Sequence, residues 1–139
     1  MGRYLVVDAS FCIRLFLPGP QRDAFRSRLE GWLQDGYELC APELWLYEMT
    51  TALCKGVFFG MLTPEEAERS LPLMHELGVR LIAPDPEQTR LAFGWTRRLN
   101  RAAAYESFYL ALAEAMDCAL WTADRHLVNA VSLPWVQLA

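Results

Sequence analysis

The chain lacks the residue patterns of zinc proteins. It has four cysteines, none of them in a Cys-x-x-Cys pair, and two histidines, His75 and His126, that are not spaced to join them. A zinc site normally combines such ligands at short, regular spacings, so a zinc protein is not expected. Because each cysteine lies in an apolar segment, we expect buried, reduced thiols.

Long hydrophobic runs are also missing. No stretch approaches the roughly 20 apolar residues that span a bilayer. The first apolar run reaches Asp8 after only a few residues and therefore lacks the core of a signal peptide. Together with the reduced thiols, these absences predict a cytoplasmic protein without a membrane segment.

Basic side chains are fewer than acidic ones. The chain has 13 basic and 17 acidic side chains, a net charge of −4, and a single lysine, Lys55. This balance argues against a protein coated with basic residues for general nucleic-acid binding. If four acids gather at one site, however, the remaining 13 equal the 13 bases, which leaves room for local basic patches. Most of those bases are arginines, which suit two-pronged phosphate contacts.

The apolar pattern predicts an α/β fold in one domain, residues 1–139. Strand-like runs recur along the chain, with helical patterns between them, at 4–7, 37–41, 79–83, 118–122 and 133–138. Helix signals include the nearly apolar segment 43–58, the segment 104–116 and a capping box at 63–66. Strands that alternate with helices favour a three-layer sandwich, with a five-stranded, mostly parallel sheet covered by about seven helices.

Two of the apolar runs end at an aspartate. Residues 4–7 lead directly into Asp8, and residues 119–122 are followed closely by Asp124. Ligands of open α/β sheets bind at the carboxyl edge of the strands, so both carboxylates are expected there. Asp124 could also simply cap a short helix at 125–130, whereas Asp8 has no comparable structural explanation. The pattern predicts an acidic site for a divalent metal ion.

Two glutamates are candidates for the same site. Glu48 lies in the apolar segment 43–58, where a carboxylate is costly unless it is paired, metal-bound or directed into a cleft. Glu106 lies in the first turn of the helix that begins near residue 104, and the helix dipole alone could explain its position. Both interpretations of Glu106 stay open on the sequence.

These acids lie in four short motifs that resemble the ordered signature of PIN domains, most closely that of VapC-type toxins of toxin–antitoxin systems. The motifs are Val-Asp-Ala-Ser at 7–10, Tyr-Glu-Met-Thr-Thr-Ala-Leu at 47–53, the segment 105–114, and Thr-Ala-Asp-Arg at 122–125. The resemblance covers essentially the whole chain. It implies a PIN-like fold and RNA cleavage that depends on Mg²⁺ or Mn²⁺ held by about four carboxylates.

The resemblance implies specific roles. Asp8, Glu48, Glu106 and Asp124 would be the catalytic and metal-binding residues, with Asp8 and Asp124 as direct ligands. Ser10, Thr122 and Arg125 would contact the RNA substrate or orient water, although local hydrogen bonds explain the two hydroxyls equally well. The third acid of the family is usually Asp, and an Asn often stands where this chain has Thr51.

The resemblance also implies partners. A VapC-type toxin is neutralised by an antitoxin protein and commonly forms a homodimer. Trp45 and the pair Phe58-Phe59 are candidates for exposed apolar surface at such an interface. Arg97, Arg98 and Arg101 could meet an RNA backbone or simply form a solvated helix face.

Other functions remain open on the sequence. A PIN-like module could bind RNA or protein without efficient cleavage. An enzyme with an aspartyl nucleophile at Asp8, of the haloacid dehalogenase type, would need a second Asp where the chain has Ser10. A phosphoacceptor receiver domain would need a late lysine, and the only lysine is Lys55.

Overall fold

A computed structural model describes residues 3–139. These residues form one parallel five-stranded sheet in the order β3-β2-β1-β4-β5. The strands are β1 Arg3–Val7, β2 Tyr37–Pro42, β3 Arg80–Ile82, β4 Ala119–Thr122 and β5 Val136–Leu138. The predicted five strands and mostly parallel sheet are confirmed.

Residues 3–139 contain seven α-helices, in agreement with the expected number. They are α1 Ala9–Cys12, α2 Arg22–Gln34, α3 Leu44–Phe58, α4 Pro64–Glu76, α5 Pro86–Arg98, α6 Tyr105–Met116 and α7 Arg125–Val131. A 3₁₀ turn, Ile13–Leu15, continues α1. Within this part of the chain, no helix combines the length and apolar character needed to cross a bilayer.

The central strands are covered on both faces. Leu5, Val6 and Val7 of β1 are all buried, as are the last four residues of β2, 39–42. Successive residues of a strand point to opposite faces, so burial of consecutive residues requires helices on both sides of the sheet. This is the predicted three-layer arrangement.

Local signals determine where several helices begin and end. The Thr63 hydroxyl accepts from the Glu66 amide at 3.1 Å, and the Glu66 carboxylate accepts from the Thr63 amide at 3.0 Å, which is the predicted capping box. Gly78 follows α4 with a φ of +71°, a conformation that favours glycine. The chain then enters β3.

Helix α3 is less buried than its sequence predicts. Trp45, Met49 and Leu53 face the core, but Tyr47 is 68% exposed and Phe58 is 81% exposed. The expectation that Trp45 contributes to a surface between protomers is wrong, since it is only 2% exposed within this chain. Trp45 lies in the first turn of α3 and belongs to the hydrophobic core, where burial of its large ring is stabilising.

The cysteine prediction is correct in part. Cys12 and Cys40 are buried, and all four thiols are free. Cys54 is exposed, because it lies on the solvent side of α3 rather than on the face that packs against the sheet. An apolar segment does not determine which face of a helix a residue occupies.

Candidate functional site

The strand order places a crevice at the ends of β1 and β4. From β1 the chain builds the sheet outward through β2 and β3, and then returns to the other side of β1 with β4 and β5. A crevice at the carboxyl ends of the strands, where the order reverses in this way, is the usual ligand site of open α/β sheets. Asp8 directly follows β1, and Asp124 follows β4 by two residues. Both aspartates therefore lie at the reversal point.

The Ser10 hydroxyl connects the ends of these two strands. It donates to Asp8 Oδ1 at 2.7 Å and accepts from the Ala123 amide at 3.0 Å. It also lies 3.1 Å from the Thr122 hydroxyl, which accepts from the Asp124 amide at 3.0 Å. Ser10 and Thr122, both singled out from the sequence, thus form a hydrogen-bonded bridge between the two aspartates.

Asp8 is a nearly buried carboxylate. It is 7% exposed, and its Oδ1 caps α1 by accepting from the Phe11 amide at 3.0 Å. Burial raises the pKa of Asp8 to about 6, which its hydrogen bonds oppose and the nearby Glu48 charge reinforces. The cap gives Asp8 a structural role that its sequence did not reveal.

Glu48 lies on α3, and its Oε1 accepts a 2.6 Å hydrogen bond from the Tyr109 hydroxyl of α6. Burial raises the pKa of Glu48, and the bond from Tyr109 opposes this. Burial, followed by the Glu48 charge, raises the pKa of Tyr109, so the hydroxyl stays protonated and donates. The helical pattern of residues 104–116 does not by itself single out Tyr109. A buried tyrosine needs a partner for its hydroxyl, and this requirement was the available signal.

Glu106 forms an ion pair with Arg101, a residue of the loop before α6. Burial raises the pKa of Glu106, the nearby Asp124 and Asp8 charges raise it further, and Arg101 opposes the shift. Glu106 is therefore electrostatically linked to both aspartates. Arg101, expected at a solvated helix face or an RNA-binding rim, lies in a loop and contacts one of the candidate acids.

Asp124 caps α7, as the alternative interpretation of the sequence allowed. Its Oδ1 accepts from the amides of His126 at 2.9 Å and Leu127 at 3.3 Å. Capping by one oxygen leaves the second carboxylate oxygen for other contacts. A structural role and a ligand role are therefore compatible at Asp124.

The four acids are chemically suited to a hard cation. Within residues 3–139, no group of three or more His, Cys, Asp or Glu side chains is placed to hold a metal ion. The ligand set of Asp8, Glu48, Glu106 and Asp124 therefore stays a prediction. Oxygen ligands are those that Mg²⁺ and Mn²⁺ prefer, and burial raises the pKa of Asp8, Glu48 and Glu106.

Two open cavities lie next to these acids. One, of about 370 Å³, is lined by Glu48 and Thr51 together with the exposed rings of Tyr47 and Tyr105. The other, of about 350 Å³, is lined by arginines that include the predicted substrate contact Arg125. In the cavity beside Glu48, the Thr51 hydroxyl stands where the family that the sequence resembles often has an Asn side chain.

Comparison with known proteins agrees with this architecture. Over 96–99% of its length, the chain resembles three solved structures at low identity. PAE2754 from Pyrobaculum aerophilum has a TM-score of 0.69, 19% identity and 92% of its chain covered. VapBC2 from Rickettsia felis, bound to a promoter DNA fragment, has a TM-score of 0.69, 12% identity and 97% of its chain covered. VapC20 from Mycobacterium tuberculosis, described as a sarcin-ricin loop cleaving toxin, has a TM-score of 0.67, 15% identity and 98% of its chain covered.

At these identities the structural likeness shows the fold alone. A search of the curated proteins found no match. The sequence model of the PIN domain family, by contrast, matches residues 5–132, which include all four candidate acids. The chain belongs to the PIN domain family.

Proposed function

We propose that this protein is a Mg²⁺- or Mn²⁺-dependent endoribonuclease that acts in the cytoplasm as the toxin of a type II toxin–antitoxin pair. The observation that carries the proposal is the placement of Asp8 and Asp124 at the reversal point of the sheet, where the Ser10 and Thr122 hydroxyls connect the ends of the two strands. Family membership supports it, as does the structural likeness to VapC20, a sarcin-ricin loop cleaving toxin, and to VapBC2.

In this proposal, Asp8 and Asp124 are direct ligands, and Glu48 and Glu106 either bind the ion or act as bases. A bound divalent ion would activate water and shield the charge of the scissile phosphate. The Ser10–Thr122 bridge fixes the spacing of the two aspartates, and Tyr109 orients Glu48. Glu106 contacts Arg101 through Oε2, which leaves Oε1 to contribute to the site.

Two partners follow from this proposal. The first is a cognate antitoxin, which the likeness to VapBC2 and to a toxin–antitoxin complex from Klebsiella pneumoniae supports. The Klebsiella complex has a TM-score of 0.66 and 12% identity, with 97% of this chain and 95% of that chain covered. The second is another copy of this chain in a homodimer.

The test is a cleavage assay on labelled single-stranded RNA with Mg²⁺, Mn²⁺ or EDTA. The wild type should cut with metal and not with EDTA, and Asp8→Asn should be inactive. Asp85→Asn is the matched control, because Asp85 also caps a helix with Oδ1 (2.7 Å from the Gln88 amide) but begins α5 outside the acid group. Cleavage with EDTA, or equal cleavage by Asp8→Asn, would contradict the proposal.

A second candidate is a PIN-like module that binds RNA or protein without efficient cleavage. The ion pair between Arg101 and Glu106 favours it, since it occupies one of the four acids. The same assay separates the two: a module would bind RNA at equal affinity with Mg²⁺ and EDTA and yield no product.

A further inference from the structure

A cavity of about 350 Å³ opens beside the acidic site, between the 3₁₀ turn, α2 and the ends of β4 and β5. Three arginines line it, namely Arg14, Arg28 and Arg125, and its lining contains no Asp or Glu side chain. Ligand sites usually measure roughly 300 to 1,000 Å³. In a chain with a net charge of −4, three cations around one such cavity are a marked local excess.

These arginines form no salt bridge within the described residues, although the main-chain carboxylate of Ala139 belongs to the cavity lining. In the part of the chain that the structure describes, the salt bridges are Arg90–Glu87 and Arg101–Glu106, and neither involves the cavity. All three cavity arginines are exposed. Their guanidinium groups are therefore available to an anion.

Aromatic rings hold two of the guanidinium groups in place. The Arg28 guanidinium carbon lies 4.7 Å from the centroid of the Trp121 ring, and that of Arg14 lies 5.6 Å from the centroid of Phe25. Arg14 also donates to Gln21 Oε1 at 3.2 Å. A stacked guanidinium keeps most of its N–H groups free and loses little conformational freedom when it binds an anion.

The cavity and the acidic site share the segment 122–125. Ala123 lines the cavity, and its amide donates to the Ser10 hydroxyl that holds Asp8. Arg125 lines the cavity and directly follows Asp124. A polyanion with one phosphate at the acids would therefore carry a neighbouring phosphate to the arginines.

We propose that Arg14, Arg28 and Arg125 form a subsite for a backbone phosphate of an RNA strand, adjacent to the phosphate held at the acids. This subsite rests on the proposed ribonuclease function and adds the contacts that position the substrate. A guanidinium group can form two parallel hydrogen bonds to the oxygens of one phosphate. Such bidentate contacts position a strand without reading its sequence.

The test measures binding of a fluorescently labelled single-stranded RNA by anisotropy, in the Asp8→Asn background so that the RNA stays intact. Arg14→Gln, Arg28→Gln and Arg125→Gln should each weaken binding several-fold. The slope of log affinity against log salt should fall by about 0.7 for each phosphate contact removed. Arg80→Gln is the matched control, because Arg80 is exposed and begins β3 at the opposite edge of the sheet. It should change neither quantity.

Two further variants separate contact from folding. Arg28→Lys keeps the charge but loses the fork, so its affinity should lie between those of the wild type and Arg28→Gln. Circular dichroism and melting curves identify any variant that fails to fold, and the subsite is then judged on the two remaining positions.

Unchanged affinity and salt slope in the arginine variants would overturn the subsite. Binding of a decaglutamate peptide at the cavity, with no RNA binding, would also overturn it and would assign the cavity to an acidic protein partner. The proposed function fails separately: RNA that binds through the arginines but is never cleaved by the wild type would leave the subsite in place and exclude the nuclease.

Discussion

Burial raises the pKa of the Asp8 carboxyl group and so disfavours its ionised form. Its pKa rises from 3.8 to about 6, so the folded protein binds this proton more tightly than the unfolded chain. Stability associated with Asp8 is therefore fully present below pH 4 and is lost as the pH rises to about 6. The difference in pKa corresponds to about 3 kcal/mol at neutral pH.

Asp8→Asn should consequently stabilise the metal-free protein above pH 6, by on the order of 3 kcal/mol, since Asn caps a helix about as well as Asp and does not ionise. The advantage should shrink toward zero near pH 4. Chemical denaturation in EDTA at a series of pH values measures this, with Asp85→Asn as the control. An advantage that did not depend on pH would exclude an ionisation origin.

Glu106 gives a second test at the scale of the residue. Glu106→Gln should keep the fold and lose most RNA cleavage, because an amide is a poor ligand and a poor base. If the site has adapted to the longer side chain, Glu106→Asp should lose roughly a hundredfold in rate, since misplacement by about 1 Å can cost that much. If the Asp geometry of the family persists, Glu106→Asp should match or exceed the wild type. Normal cleavage by both variants would mean that Glu106 is only a charge at the start of α6.

At the scale of the element, the short helix α7 depends on the same Asp124 that is proposed to bind metal. Asn caps a helix about as well as Asp, so Asp124→Asn should melt within a few degrees of the wild type in EDTA. It should lose the increase in melting temperature that Mg²⁺ or Mn²⁺ gives the wild type, because binding to the native state alone is what stabilises it. Asp85→Asn at α5 should keep that increase. A full metal response from Asp124→Asn would remove Asp124 from the ligand set.

At the scale of the whole molecule, α3 and α4 share an exposed apolar patch. A groove of about 450 Å³ between these helices is lined by Leu53, Val57 and Leu71, with the 81% exposed Phe58 at its edge. Apolar patches of this kind are typical of interfaces between proteins. The homodimer expected from the sequence therefore has a candidate surface, although Trp45 is not part of it.

Light scattering at tens of micromolar should give the mass of a dimer for the wild type and a monomer for Phe58→Ser. Phe93→Ser on α5 is the matched control, because Phe93 is also exposed, at 65%, but lies away from this groove. A monomeric wild type, or dissociation by Phe93→Ser alone, would contradict the assignment of the surface.

The sequence by itself determined the strands, the helices and the two aspartates at strand ends, because each of these depends on local patterns. Alternating apolar segments define the five strands, and Thr63 with Glu66 and Gly78 mark the start and end of one helix. The motif around Asp8 and Asp124 also indicated their position, since parallel strands bring their carboxyl ends to one edge.

Only the tertiary structure decided which side chains meet at that edge. Tyr109 and Glu48 are 61 residues apart, and Ser10 and Ala123 are 113 residues apart. The partner of Glu106, the exposure of Cys54 and the burial of Trp45 depend on which face of each element meets the sheet. The three arginines of the cavity come from separate segments of the chain, and their convergence depends on how α2 packs beside β4. Contacts between distant segments are set by packing, which no local pattern encodes.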